Sequence, residues 1–165
     1  MIKRILMGLG NKEHADVKIS YALDLAKVHD ATLTAVTVVD VDRLYKVGPI
    51  PLGGGGAAEE LREHRLVETR QRIADVVTHF EERCREAGVN HNICQEEGDP
   101  LKVMVEHARF HDLMIFGLTG VFDYGVVTDV DEKPIDLLIR LITAGVRPIL
   151  AVGDKYEKID SVMVA

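Results

Sequence analysis

Asp112-Leu113-Met114-Ile115-Phe116-Gly117-Leu118-Thr119-Gly120 is the stretch that decides the fold. Leu113–Gly117 is a short apolar run closed by a glycine. A charge precedes it, and a second glycine follows three residues on. A run of this kind reads as a strand buried on both faces, and therefore as part of a parallel sheet. In an open α/β sheet the turn after such a strand is where ligands sit. Two glycines there let the backbone turn tightly and approach a phosphate or a ribose.

Working outward, Gly98-Asp99-Pro100 opens the helix before this strand, with Asp99 as its cap and Pro100 in its first turn. Leu101, Met104, Val105 and Ala108 form its buried face. After the strand, residues 118–133 read as a loop rich in acids, and residues 134–144 as a helix with Leu138, Leu141 and Ile142 inward. Arg147-Pro-Ile-Leu-Ala-Val152 is a fifth strand. Towards the N-terminus, residues 2–9 read as strand one and residues 14–29 as a helix, with Ile19, Ala22, Leu23 and Ala26 at helical spacing. Residues 32–39 are rich in β-branched side chains and read as strand two, ended by Asp40, Val41 and Asp42. A loop over 43–57 holds Pro49, Pro51 and Gly53–Gly56, as a connector or a lid over the strand tips. A long helix over 58–87 carries the stripe Leu66, Ile73, Val77, Phe80 and Cys84 and stops at Gly88. Residues 89–96 form a more polar third strand, suited to a sheet edge. Strands alternating with helices imply an α/β, doubly wound parallel sheet of five strands with helices on both faces.

The 165 residues suffice for one core, and 47% apolar with 28% charged residues is ordinary for a globular protein. A net charge of −7 argues against a nucleic-acid face, which needs clustered Lys and Arg, and against binding to an anionic membrane surface. No apolar run approaches the ~20 residues of a membrane span. The apolar start at Ile2-Lys-Arg-Ile-Leu-Met7 is too short for a signal-peptide core, so the cytoplasm is the expected location. Cys84 and Cys94 form no CxxC pair and read as small core residues. His107 and His111 have the spacing of a two-His metal site, but no third ligand is evident; helix-end histidines beside the dipole are the simpler account, and no metal is expected. Gly8-Leu-Gly10 lacks the third glycine of a dinucleotide fingerprint, since position 13 is Glu13. The paired acids of a receiver domain and the G-x-S-x-G of an α/β hydrolase are missing too.

In this order and spacing, Ile5-Leu6-Met7, Gly98-Asp99-Pro100, Asp112–Gly120 and Arg147–Val152 resemble the universal stress protein family over nearly the whole chain. The resemblance implies the strand order 3-2-1-4-5 and a domain over 1–153. It implies dimers through the last strand, or tandem domains, and a regulatory or protective role in place of an enzymatic one. Residues 154–158 then read as a linker. Ile159–Ala165 repeats the pattern of Ile2–Gly8 and reads as the first strand of a second domain, or as a C-terminal tail. The expected partner is thus a second copy or a tandem domain, meeting strand 147–152.

Nucleotide-binding members of that family carry an aspartate just after strand one, where this chain has Gly10, and a valine beside adenine at the end of strand two, matched by Val38. Their motif after strand four is Gly, two residues, Gly, nine residues, then Gly-Ser or Gly-Thr. Phe116, Gly117 and Gly120 supply its start, but Val130 and Asp131 stand where its end belongs, and alignment on strand five gives Ile135 and Asp136 instead. The acids Asp123, Asp129, Asp131, Glu132 and Asp136 surround this loop. Carboxylates there repel a triphosphate by a few kcal/mol unless a metal intervenes, and the missing aspartate removes a hydrogen bond worth roughly 1.5–3 kcal/mol. ATP binding is therefore expected to be weak or absent. The alternative is a nucleotide- or metal-dependent sensor or enzyme that uses the glycine turn.

Overall fold

The computed structural model describes residues 1–46, 54–118, 121–127, 134–145 and 147–159, excluding the side chains of Glu13, His14 and Pro134. Its elements run β1 (Arg4–Gly8), α1 (Lys12–His29), β2 (Thr32–Val39), α2 (Val41–Tyr45), α3 (Gly55–Ala87), β3 (His91–Glu97), α4 (Pro100–Ala108), β4 (Leu113–Gly117), α5 (Pro134–Ala144) and β5 (Ile149–Val152). The five strands form one parallel sheet in the order β3-β2-β1-β4-β5. Ile5 of β1 lies beside Leu33 on one side and Leu113 on the other. α1 packs against α3, and α4 against α5. This pairing follows from right-handed crossovers that run outward from β1 to one edge, then back past it to the other.

Burial follows the layering. Ile5, Leu6 and Met7 of β1 are fully buried, as a central strand covered on both faces requires. β3 leaves Gln95, Glu96 and Glu97 exposed, and the two glutamates blunt the edge it forms. α3 buries Ile73, Val76, Val77, Phe80 and Cys84 at spacings of three and four. Gly88 ends that helix in the left-handed region, φ 66°, where a glycine carries no Cβ penalty. Burial pushes the Cys84 thiol up to about 12, so it stays protonated and behaves as an apolar core group.

Three polar clamps tie distant parts of the chain together. Asp112 sits just before β4, and its Oδ2 accepts the backbone N–H groups of Lys3 (2.8 Å) and Arg4 (2.9 Å). Those two bonds hold its carboxyl below the ordinary range. Asp16 of α1 accepts from Arg83 of α3 at 2.6 Å and stands 2.7 Å from Nε2 of His79. Beyond β5, the Tyr156 ring packs on Tyr21 with centroids 4.8 Å apart, its hydroxyl bonds the Asp24 carboxylate, and the Glu157 N–H donates to the Tyr21 hydroxyl (2.9 Å). Residues 154–158, read from sequence as a linker, thus run back over α1.

Several boundaries differ from the sequence reading. Strands one and five are shorter, at 4–8 and 149–152, and helix one starts earlier, at Lys12. Strand three is displaced to 91–97, and strand four is Leu113–Gly117 as read. The expected loop over 43–57 is corrected at both ends, and residues 47–53 within it lie outside the described residues. Asp40 does not merely end β2: its Oδ1 accepts the Arg43 N–H at 3.0 Å and caps the five-residue α2. Gly55 and Gly56 belong to the first turn of α3, with Gly54 as its cap. Cys94 is only half-buried, on edge strand β3, and packs against the core without being enclosed by it. Residues 160–165, most of the possible second-domain strand, lie outside the described residues.

Candidate functional site

In this sheet order the chain reverses direction between β1 and β4, and the crevice beyond their C-terminal ends is the expected ligand position. Residues 121–127 occupy that end of the sheet. They are neither helix nor strand, yet Val121, Phe122, Tyr124 and Val127 are all buried. The Tyr124 hydroxyl joins β2 to the residue that follows β1. It accepts the N–H of Val38 at 3.1 Å and donates to the carbonyl of Leu9 at 3.1 Å. Burial pushes the phenol far above its ordinary range, so it keeps the proton it donates.

The rest of the segment is fastened just as closely. The Asn11 N–H donates to the Asp123 carbonyl (2.8 Å), and Asp123 Oδ1 accepts the Gly125 N–H (2.8 Å). Arg72 of α3 donates to the Tyr124 carbonyl (2.5 Å) and to Glu68 (2.6 Å). Gly125 has φ 72°, and a Cβ on it would lie 2.7 Å from that guanidinium. The glycines of β1 and its turn make room for the segment. A Cβ on Gly8 would meet Val121 Cγ1 at 2.6 Å, and one on Gly10 would meet the Val121 carbonyl oxygen at 2.8 Å. Backbone cannot yield as a side chain can, so position 10, where the family resemblance implies an aspartate, is here sterically closed to any side chain.

Lys18 of α1 lies against the neighbouring tip. It is 1% exposed, and its Nζ stands 3.3 Å from the Gly8 carbonyl, the one hydrogen bond it makes among the described residues. Its stem runs over Gly117, where a Cβ would come within 3.2 Å of Cδ. No described carboxylate pairs with it, and burial alone lowers the ammonium pKa to about 8.

Of the residues expected at a nucleotide site, Val38 and Phe116 are fully buried, and Gly117 carries the Lys18 stem. The Val38 N–H is already taken by Tyr124. Gly120, Val130 and Asp131 lie outside the described residues. His111 falls beyond the end of α4, not on it, and its Nδ1 is 2.7 Å from the His107 carbonyl. Burial is the main reason its pKa is lowered. No group of three metal-ligating side chains exists among the described residues. Sequence reasoning missed Tyr124, Phe122, Arg72 and Lys18. Two signals were available: Val121-Phe-Asp-Tyr124 is an apolar cluster inside a supposed acidic loop, and Lys18 precedes Ala22 by four on the buried stripe of α1.

A sequence model of the universal stress protein family matches residues 1–120. No curated protein sequence matches the chain. Solved structures share the fold. A protein of the universal stress protein family from Burkholderia pseudomallei is 19% identical, with a TM-score of 0.59, covering 92% of this chain and 96% of that one. The universal stress protein UspA from Lactobacillus plantarum is 17% identical, with a TM-score of 0.60, covering 92% and 97%. A universal stress protein family protein from Arabidopsis thaliana with AMP bound is 12% identical, with a TM-score of 0.61, covering 93% and 92%. Among the described residues no helix is long and apolar enough to cross a membrane.

Lys18 gives the site a pH signature. The unfolded chain holds the proton up to about 10.5 and the folded chain only up to about 8. Between these values the unfolded state binds more protons, so stability rises with pH across that window and is lowest, as far as Lys18 is concerned, below pH 8. Lys18→Met is expected to remove this rise and to stabilise the protein at pH 7 by on the order of 3 kcal/mol. Urea denaturation from pH 7 to 10.5 measures it; equal pH profiles for variant and wild type contradict it.

Proposed function

The chain belongs to the universal stress protein family, and we propose that it works there as a regulatory or protective binding module in which ATP binding is weak or absent. One observation carries this reading. The Tyr124 hydroxyl holds the Val38 N–H and the Leu9 carbonyl, so the backbone beside the expected adenine position is already paired within the chain. Three further points support it. Gly10 has no room for the aspartate of nucleotide-binding members. Lys18 and Gly117 are packed on one another at the tip of β4. The loop where a phosphate-binding Gly-Ser pair belongs carries acids instead. A bound nucleotide would have to displace residues 121–127 and re-satisfy two buried backbone groups, each costing about 1–3 kcal/mol if left unpaired. The AMP-bound Arabidopsis relative marks the competing reading, in which this chain too is a nucleotide sensor.

The same reading makes the protein non-enzymatic and cytoplasmic, acting through contacts with a second copy or a tandem domain. The support for that contact is β5, a sheet edge on which Ile149 and Leu150 are half-buried and Ala151 is exposed.

Calorimetry of the protein with ATP or AMP, with and without magnesium, is expected to give no saturable heat at micromolar ligand. A micromolar dissociation constant overturns the nucleotide-free reading, and one that appears only with a divalent ion favours the metal-dependent sensor. Sedimentation at micromolar protein is expected to give a dimer. A strictly monomeric mass contradicts pairing through β5.

A further inference from the structure

Residues 154–158 make contacts that a passive linker does not need. The Tyr156 ring lies tilted at 53° on that of Tyr21 of α1, and its hydroxyl donates to Asp24. One residue on, the Glu157 N–H donates to the Tyr21 hydroxyl. Tyr21 and Asp24 stand three apart on α1 and so share a helix face. Together they engage a ring, the hydroxyl on that ring and the next backbone N–H. All of these groups lie at the surface, and Tyr156 is 41% exposed. Water competes for hydrogen bonds placed there, so this contact can open while the core stays folded.

The strand just before this segment is the one that most needs an anchor. β5 has four residues, ~13 Å of chain, and in the sheet it pairs with β4 alone. Its entry is tied down: Arg147 donates to the Arg109 carbonyl at 3.1 Å, and the Pro148 carbonyl accepts the Met114 N–H at 3.0 Å. Its exit has the bond from the Leu118 N–H to the Val152 carbonyl, 3.0 Å, and then, four residues on, Tyr156. A short edge strand opens locally at lower cost than a central one, so what holds its exit governs how firmly it stays in the sheet.

We propose that residues 154–158 are a releasable strap that controls the β5 edge: seated on Tyr21 and Asp24 through Tyr156, it holds β5 in the sheet, and unseated, it lets β5 fray. Whatever takes Tyr21 and Asp24 away from Tyr156 thereby acts on the edge from α1. Amide hydrogen exchange of the whole chain tests this. In Tyr156→Ala the β5 amides that bond β4 are expected to exchange at least tenfold faster, with the Leu33 amide of β2 unchanged. Tyr156→Phe keeps the ring and loses the bond to Asp24. It is expected to speed the same amides at least threefold, and adding Asp24→Ala to it is expected to change nothing more, because both remove one bond. This pair carries the test if Tyr156→Ala fails to fold. The proposal is overturned if β5 exchange is unchanged in the folded variants, if β5 and Leu33 speed up together, or if the effects of Tyr156→Phe and Asp24→Ala add. One consequence rests on the dimer reading above: Tyr156→Ala is expected to weaken association at least fivefold by sedimentation. A monomeric wild type overturns that reading alone, since exchange at β5 decides the strap.

Discussion

The hydroxyl of Tyr124, 3.1 Å from the Val38 N–H and 3.1 Å from the Leu9 carbonyl, is the contact on which the functional end of this molecule depends. Parallel strands that end at a crevice leave backbone groups without ladder partners, and these must be met by water, by a ligand or by the chain itself. Here the chain itself meets them. A phenol suits the task because one oxygen both accepts and donates while the ring fills apolar space. Residues 121–127 are then bound to take this position. Gly8 and Gly10 clear the ground beneath them, Arg72 holds the Tyr124 carbonyl from α3, and Gly125 lets the chain turn beside that guanidinium.

Filling the crevice from within has a counterpart at β4. Gly117 carries no side chain, and the stem of Lys18 lies in the space so left. A glycine that would let backbone approach a phosphate in one setting here admits a lysine from the protein's own helix. The ammonium has lost most of its water and gains one carbonyl bond, which is why its proton is held weakly. This arrangement lowers stability at neutral pH. It persists beside a large core in which Phe80, Ile5, Leu6 and Phe116 are fully buried.

The sheet was legible because its signals are strong and local. Leu113–Gly117 and Thr32–Val39 are apolar runs of strand length, and Gly88 and Asp99-Pro100 punctuate the helices around them. α2 was not legible, since Asp40 reads equally as the end of a strand and as a helix cap, and five residues show no helical period. The site was read in half. Gly10 and Gly117 were recognised as departures from, or remnants of, a nucleotide motif, but a motif describes what is missing and not what fills the gap. Tyr124 reaches Leu9 across 115 residues of chain and Val38 across 86. Contacts of that range leave no periodicity, and the acids around Tyr124 give the segment the composition of a solvated loop.

Native-state hydrogen exchange at the Val38 amide tests the filled crevice most directly, because that N–H reports whether the Tyr124 hydroxyl is on it. Val38 is expected to exchange as slowly as core amides of β2, and at least tenfold faster in Tyr124→Phe, while the Leu33 amide, bonded to the carbonyl of Asn90, changes only with global stability. Rapid exchange at Val38 in the unaltered protein, or slow exchange untouched by loss of the hydroxyl, would contradict it.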